Sequence, residues 1–336
     1  METIGYDNRR VWRDTHLNRK RVGTIDKTFQ LELNDSKQRI RICAHNAAAP
    51  PVLVVQGGPG YPMLHEVKKF QRKLALEQCL AVCYWDQRGC GPAAKKDLES
   101  VSFRQQVKDL EALIRWIRAN SGQKVTLLGI SIGATAALLA AEHEHENINA
   151  VVAISPDINI AEMDASAAEF LARKASTMPR RFTSDLTKLG DPPYIDPAKL
   201  QLRARLLANS DAIEHGRSFS SLAAELLVGL IRTYGPIGAV SSLRNMNAVQ
   251  RRMLPELLEL NALTELPVMN IPVHCVVGGN DPLVSTTHRK RISSLPGYSL
   301  TDLPDAGHMT HFDRPDVVSS IVIRAAGVEP DRHQVQ

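Results

Sequence analysis

A serine between two glycines is the residue of this chain best suited to covalent chemistry. The turn Gly129-Ile130-Ser131-Ile132-Gly133 follows an apolar run typical of a buried strand and precedes an alanine-rich helix. A turn of this kind holds the serine in a strained backbone conformation and lifts its hydroxyl clear of the sheet. Glycine is required on both sides because strand and helix pass too closely for a side chain. We therefore predict that Ser131 is a nucleophile.

A serine nucleophile needs a base to accept its proton and a carboxylate to orient that base. Asp281 follows the predicted strand Val273–Val277, and His308 follows the predicted strand around Tyr298–Leu303. Both residues thus leave the carboxyl ends of strands, where the reactive groups of such sheets gather. We predict His308 as the base and Asp281 as the orienting acid.

Other residues compete for these two roles. His311 lies three residues after His308 and could be the base instead. Asp157 could supply the acid because it also leaves a strand, Ala150–Ile154. Asp305 is near His308 in sequence but would approach from the wrong side, so we expect it in solvent.

The oxyanion that forms during acyl transfer needs two N–H donors. One is expected from Ile132, which follows the nucleophile at the start of a helix. The other is expected from the glycine loop Gln56–Gly60, where the backbone can approach a substrate closely. Within that loop we favour Gly58, with Gly57 as the second choice.

These residues require a sheet that positions them. Strand-like runs alternate with helical patterns on both sides of residues 157–262, whereas within that segment only helical patterns occur. This arrangement predicts an α/β fold with a doubly wound, mostly parallel sheet. We assign residues 1–156 and 263–336 to the core and residues 157–262 to an inserted helical cap over the active face.

Composition narrows the class of protein. The chain has 336 residues, a net charge of +5 and an odd number of cysteines, five, without a C-x-x-C pair. We read these as reduced thiols and expect a cytoplasmic protein. The basic segment Arg9–Arg21 is interpreted as a solvated arm, and no uninterrupted apolar run has the length of a membrane span. We expect neither nucleic acid nor membrane as a partner.

Two further groups of residues are not expected to be reactive. The helical cluster Glu142–Glu146 is interpreted as a solvated helix end and Cys90 as unreactive.

Two further motifs accompany the serine turn. They are Q-G-G-P-G at Gln56–Gly60 and D-Q-R-G-C-G at Asp86–Gly91. Together with the turn they resemble the α/β-hydrolase superfamily and, within it, its prolyl-iminopeptidase-like branch, which carries H-G-G-P-G and D-Q-R-G-x-G. The resemblance covers roughly residues 22–156 and 265–325. It implies an eight-stranded sheet with a helical cap, and a Ser-His-Asp triad that works through an acyl-enzyme without metal or organic cofactor.

The chain also departs from this branch. Gln56 stands where the branch usually has histidine, and Ile132 stands where iminopeptidases usually have an aromatic residue. Those enzymes bind the free amino group of the substrate with glutamates of the cap. Three cap glutamates are available for this role here: Glu214, Glu225 and Glu256. Proline specificity therefore does not carry over. Three cap arginines could bind a carboxylate or form a solvated helix face: Arg244, Arg251 and Arg252.

These observations predict a serine hydrolase that cleaves a small-molecule or short-peptide amide or ester. An esterase or lactonase for a small metabolite is the alternative within the same chemistry. A biosynthetic acyl transferase or cyclase that reuses the triad, or a ligand binder without turnover, are alternatives from other classes. The sequence leaves a homo-oligomer open.

Overall fold

An eight-stranded sheet organises the computed structural model, which describes residues 23–93, 95–261 and 269–329. The strands are β1 (Ile25–Leu33), β2 (Ser36–Ala44), β3 (Pro51–Val55), β4 (Ala81–Asp86), β5 (Val125–Ile130), β6 (Ile148–Ile154), β7 (Val273–Gly278) and β8 (Tyr298–Leu303). Their spatial order is β1-β2-β4-β3-β5-β6-β7-β8. Strand β2 runs antiparallel to β1 and β4, and the remaining pairs are parallel. The predicted α/β class and eight-stranded sheet are confirmed.

Helices surround the sheet and fill the connections. They are α1 (Val67–Leu74), α2 (Lys95–Glu99), α3 (Phe103–Ser121), α4 (Ile132–Glu144), α5 (Ile160–Lys174), α6 (Arg180–Leu189), α7 (Pro197–Ala208), α8 (Phe219–Glu259), α9 (Thr286–Ser294), α10 (Thr310–Asp313) and α11 (Pro315–Ala325). Helices α3 and α4 cover one face of the sheet, and α1 and α11 cover the other. Parallel strands covered on both faces must be apolar throughout, which explains the continuous hydrophobic runs in the sequence.

Strand β3 shows how the two faces are built from one run. Val52 and Val54 belong to the cluster under α1 and α11, whereas Leu53 and Val55 belong to the cluster under α3 and α4. This split follows from the two-residue period of a strand. Both faces therefore hold β3 rigidly where its carboxyl end passes into the glycine loop.

The segment between β6 and β7 contains α5 to α8. Within its described part, residues 155–261, it has no strand apart from an isolated bridge between Asn159 and Asn261. Residues 262–268 and the predicted N-terminal arm lie outside the described residues. The division of the chain at residues 156 and 263 stays a prediction.

Helix α8 is long and apolar enough to match a membrane span by length and composition. Glu225 and Arg232 lie within it, so it is no uninterrupted apolar run. Gly235, with φ 72° and ψ 170°, breaks the helix into two parts, and Val249 and Met253 of the second part are buried in the core. The match is therefore weak evidence for a membrane.

Candidate active site

Ser131 lies at the junction of β5 and α4, with φ 53° and ψ −127°. This left-handed conformation is strained for a residue with a side chain. A Cβ on Gly129 would lie 2.5 Å from the Cα of Ala134, and one on Gly133 would lie 2.3 Å from the carbonyl oxygen of Val55. Neither position accepts any residue but glycine, which is the physical reason for the G-x-S-x-G spacing.

His308 and Asp281 form a buried pair. His308 Nδ1 lies 2.9 Å from Asp281 Oδ2, and because a carboxylate only accepts, the proton is on Nδ1. Asp281 Oδ1 accepts from Leu283 N at 2.9 Å, and His308 N donates to Ala212 O at 2.9 Å. The imidazole is thus fixed in tautomer and orientation, and its Nε2 is left for the cavity that His308 lines.

Opposing effects set the pKa of His308. Burial alone lowers the pKa, because it disfavours the charged imidazolium. The nearby carboxylates of Asp281 and Asp157 favour the imidazolium and outweigh the burial, so the pKa is raised above its ordinary value. The imidazole is therefore a stronger base than a free histidine.

The Ser131 hydroxyl contacts a carboxylate that sequence analysis considered only for another role. Ser131 Oγ donates to Asp157 Oδ2 at 3.1 Å, and Asp157 Oδ1 is buried with no hydrogen-bond partner among the described residues. Thr135 Oγ1 donates to the backbone oxygen of Asp157 at 2.5 Å and fixes the loop after β6. Burial raises the pKa of Asp157 to about 6. Asp157 thus contacts the serine, while Asp281 contacts the histidine.

The glycine loop lies directly against the serine turn. A Cβ on Gly57 would lie 2.9 Å from the Cβ of Ser131. The N–H of Gly57 donates to the side-chain oxygen of Gln56 at 3.3 Å, and Gln56 Nε2 donates to Glu66 Oε2 at 2.7 Å. The Gly57 N–H is therefore already engaged by the Gln56 side chain. Ile132 is the first residue of α4, so its N–H has no partner within the helix.

A cavity of about 730 Å³ joins these groups beneath the cap. Gly57, Gly58, Ser131, Ile132, Asp157 and His308 all line it. The cap contributes mainly aliphatic side chains, among them Met163, Leu222, Leu226, Leu254 and Leu257. Such a cavity suits a small ligand with an apolar body and one polar reacting group.

The cap glutamates are in three different environments. Glu214 is buried and accepts from Lys69 Nζ at 2.7 Å, and Glu225 pairs with Arg217 at 2.7 Å and with Lys69 at 3.4 Å. Both line the cavity. Burial alone would raise the pKa of Glu225, but the charges of Lys69 and Arg217 hold it below its ordinary value. Glu256 does not line the cavity. It accepts from two N–H groups at the start of α3, those of Phe103 and Arg104.

The remaining candidates lie away from the cavity. His311 is buried between the rings of Phe70 and Phe312, with centroids at 5.3 and 4.1 Å, and burial lowers its pKa to about 3. Asp305 is exposed, and burial raises the pKa of the Cys90 thiol, so neither fits a reactive group. The three cap arginines are exposed and outside the cavity lining: Arg244, Arg251 and Arg252. No group that could hold a metal ion occurs among the described residues, Glu142–Glu146 included.

Sequence reasoning missed two features of this site. It considered Asp157 only as an orienting acid, although the position after β6 was enough to predict its closeness to Ser131. It also missed Lys69, which neutralises the cap glutamates from helix α1. Nothing in the local sequence distinguishes Lys69 from the solvated lysine beside it, because its partner lies 145 residues away.

Comparison with known proteins agrees with the fold. Residues 52–321 match the model of the alpha/beta hydrolase family. The chain is 24% identical over 307 residues to the probable aminopeptidase YbaC of Bacillus subtilis, covering 88% of this chain and 95% of the relative. A proline iminopeptidase-related protein from Thermus thermophilus superposes with a TM-score of 0.61 at 19% identity, over 90% of this chain and 98% of that one. An esterase from Exiguobacterium antarcticum superposes with a TM-score of 0.55 at 14% identity, over 90% and 100%. The chain therefore belongs to the α/β-hydrolase family of hydrolytic enzymes.

Proposed function

We propose that the protein is a serine hydrolase that cleaves a carboxylic amide or ester through an acyl-enzyme. Ser131 is the nucleophile, His308 the general base and Asp281 the residue that orients the imidazole. The N–H groups of Gly58 and Ile132 form the oxyanion hole, with Gly57 beside it. The observation that carries this proposal is the 2.9 Å contact between His308 Nδ1 and Asp281 Oδ2, behind a cavity that Ser131 also lines.

The reaction begins when the Ser131 hydroxyl turns from Asp157 toward His308. His308 Nε2 accepts the hydroxyl proton as Oγ attacks the substrate carbonyl carbon, and the resulting oxyanion accepts hydrogen bonds from Gly58 and Ile132. The imidazolium then protonates the leaving amine or alcohol, which departs and leaves the acyl-enzyme. A water molecule, deprotonated by the same imidazole, releases the acid and restores Ser131.

An aminopeptidase-like activity is the substrate class that we favour. The relative from B. subtilis, which the chain matches over most of both lengths, is a probable aminopeptidase. The cavity volume of about 730 Å³ suits a small molecule or short peptide. We infer a substrate with a compact acyl residue, without a preference for proline.

An esterase is the second candidate, and one observation favours it. The cap glutamates that line the cavity are already paired with Lys69 and Arg217, so neither is free for an amino group. A neutral ester would need no such partner. Under both candidates the substrate is a small molecule or short peptide and the protein works in the cytoplasm.

A fluorophosphonate probe tests the proposal through intact-mass measurement. We expect one adduct on the wild-type protein and none on Ser131→Ala or His308→Ala. Hydrolysis of p-nitrophenyl acetate should fall at least about 10³-fold in both variants. His143→Ala, which changes an exposed histidine on α4, is the matched control and should label normally. An unlabelled wild-type protein, or an adduct that survives Ser131→Ala, would contradict the proposed nucleophile.

A further inference from the structure

Asp157 is a carboxylate of the cavity that forms no ion pair with any of the described residues. It is buried, and within the part of the chain that the structure describes its Oδ2 accepts from the Ser131 hydroxyl at 3.1 Å while its Oδ1 has no hydrogen-bond partner. We propose that Asp157 binds the free α-amino group of the substrate's acyl residue. This inference rests on the proposed serine hydrolase and names the group that its substrate carries.

Three glutamates also line the cavity, and all are less suited to this role. Glu66 accepts from Gln56 Nε2 at 2.7 Å and lies 4.0 Å from His65 Nε2. Glu214 accepts from Lys69 at 2.7 Å, and Glu225 is shared between Lys69 and Arg217. At Glu214 and Glu225 an ammonium group would have to displace a cation that is already in contact. Burying an ammonium without a carboxylate partner is costly. Asp157 can accept an ammonium without breaking an ion pair.

Asp157 is close enough to Ser131 Oγ to contact the α-amino group of a bound substrate. In an aminoacyl substrate the nitrogen lies about 2.5 Å from the carbonyl carbon, because two bonds separate them. Before attack, that carbon lies about 3–3.5 Å from the serine oxygen. A carboxylate in hydrogen-bond contact with Ser131 Oγ is therefore next to the position of the α-nitrogen. An amino group farther along the acyl chain would lie beyond it.

The same contact links recognition to activation of the nucleophile. In the structure the Ser131 hydroxyl donates to Asp157, and this hydrogen bond directs the hydroxyl proton away from His308. An ammonium that takes its place leaves the hydroxyl free to donate to His308 Nε2. A substrate with a free amine thus assembles the reactive contact, whereas a substrate without one must break the Ser131–Asp157 hydrogen bond unaided.

The recognition also depends on pH. The charged groups that face Asp157 are His308, Arg203 and Asp281, and Arg203 itself pairs with Asp164. Only the ionised carboxylate holds an ammonium. Since burial raises the pKa of Asp157 to about 6, the advantage of the amine disappears as the pH falls through that value. Titration of His308 affects all substrates equally, so it cancels in a ratio of two substrates.

The test compares alanine p-nitrophenyl ester with its N-acetyl derivative. For the wild-type protein we expect kcat/KM to favour the free amine by about 10- to 100-fold, the effect of a hydrogen-bonded charge in a buried site. Asp157→Asn keeps the shape but not the charge and should bring the ratio near one. Glu214→Gln and Glu225→Gln are the matched controls and should keep the wild-type ratio. A second readout is protection of Ser131 from the fluorophosphonate by alaninamide but not by N-acetylalaninamide.

The outcomes separate this inference from the function on which it rests. A labelled wild-type protein with a ratio near one, or an Asp157→Asn variant with the wild-type ratio, would overturn the role of Asp157. A ratio that falls in Glu214→Gln or Glu225→Gln but not in Asp157→Asn would transfer the role to the cap. If the wild-type protein takes no label and hydrolyses neither ester, the proposed serine hydrolase fails first, and the amine site fails with it.

Discussion

At the scale of single residues, His308 sets the pH range in which the enzyme can work. Only the neutral imidazole accepts the serine proton, so kcat/KM must fall as the pH drops through the pKa of His308. The carboxylates of Asp281 and Asp157 raise that pKa in spite of burial. We therefore expect the acidic limb for a neutral ester such as p-nitrophenyl acetate to lie above about 6.5, the ordinary value for histidine. A limb well below that value would mean that burial dominates.

Removing the charge of Asp281 tests its role as the orienting acid. In Asp281→Asn the imidazole loses the carboxylate that fixes its tautomer, because an amide can also donate, so we expect kcat to fall by about 10⁴-fold. The acidic limb of the pH profile should also move to lower pH, because the imidazolium loses its partner. Asp305→Asn, on an exposed carboxylate near His308 in sequence, is the control. If kcat fell little in Asp281→Asn but strongly in Asp157→Asn, Asp157 and not Asp281 would be the residue that orients the imidazole.

The sequence predicted residues at strand ends better than the contacts between their side chains. Ser131, Asp281 and His308 follow predicted strands, and parallel topology alone brings such positions to one edge of the sheet. The hydrogen bond from Ser131 to Asp157 depends on a rotamer of the serine, and the pairing of Lys69 with Glu214 depends on how the cap docks. Neither is encoded in local periodicity, so neither could be predicted without the fold.

At the scale of elements, the crossing of α4 over β3 depends on Gly133. A Cβ there would lie 2.3 Å from Val55 O and 2.5 Å from Gln56 O. We expect Gly133→Ala to cost about 1–3 kcal/mol of unfolding free energy through overpacking and to reduce fluorophosphonate labelling, because the glycine loop is displaced. Gly23→Ala, where a Cβ meets no atom of residues 23–93, 95–261 and 269–329 within 4 Å, should change stability by less than about 0.5 kcal/mol. Equal urea midpoints for the two variants would contradict the close approach.

The D-Q-R motif braces three elements at the end of β4. Arg88 donates to both carboxylate oxygens of Asp109 on α3, at 2.7 and 2.9 Å, and Gln87 Nε2 donates to Gln56 O at 3.2 Å. Asp86 accepts from Leu64 N at 2.8 Å. In the sequence alone this motif is known only by its resemblance to a family pattern. Its physical role, a buried support for the glycine loop, could be seen once the partners far along the chain were in place.

The buried pair of Arg88 and Asp109 yields a prediction about stability. Asp109 is fully buried and accepts from Arg88 and from three amide side chains, those of Asn34, Gln38 and Gln105. Asp109→Ala would leave the guanidinium buried without its charge partner, so we expect a loss of about 3–5 kcal/mol in urea unfolding. Glu169→Ala removes one partner of an exposed pair and should cost less than about 1 kcal/mol. A loss below 1 kcal/mol for Asp109→Ala would show that water reaches the pair.

At the scale of the whole molecule, the helical insertion is less separate than the sequence suggested. The hydrophobic cluster under α3 and α4 includes Met163 and Leu171 of α5 and Val249 and Met253 of α8. Glu256 on α8 accepts from the first N–H groups of α3. The helical character of the insertion follows from local periodicity, but which face of each helix docks on the core does not. That face determines which side chains line the cavity, and this is why the substrate class could not be deduced from the sequence.

Since insertion and sheet share one hydrophobic cluster, we expect them to unfold together. Tyr234 on α8 ties them by donating to Asp86 Oδ2 at 2.6 Å, and Asp86 is buried. Tyr234→Phe leaves that oxygen without its donor, so the unfolding free energy should fall by about 1–3 kcal/mol. Circular dichroism during urea unfolding of Tyr234→Phe should show a single transition, shifted as a whole to lower urea concentration. Tyr194→Phe removes only a 3.3 Å hydrogen bond to Gly190 O within the insertion and should shift the urea midpoint less. A separate early transition in Tyr234→Phe, with fluorophosphonate labelling of Ser131 retained beyond it, would show instead that the insertion unfolds as a unit of its own.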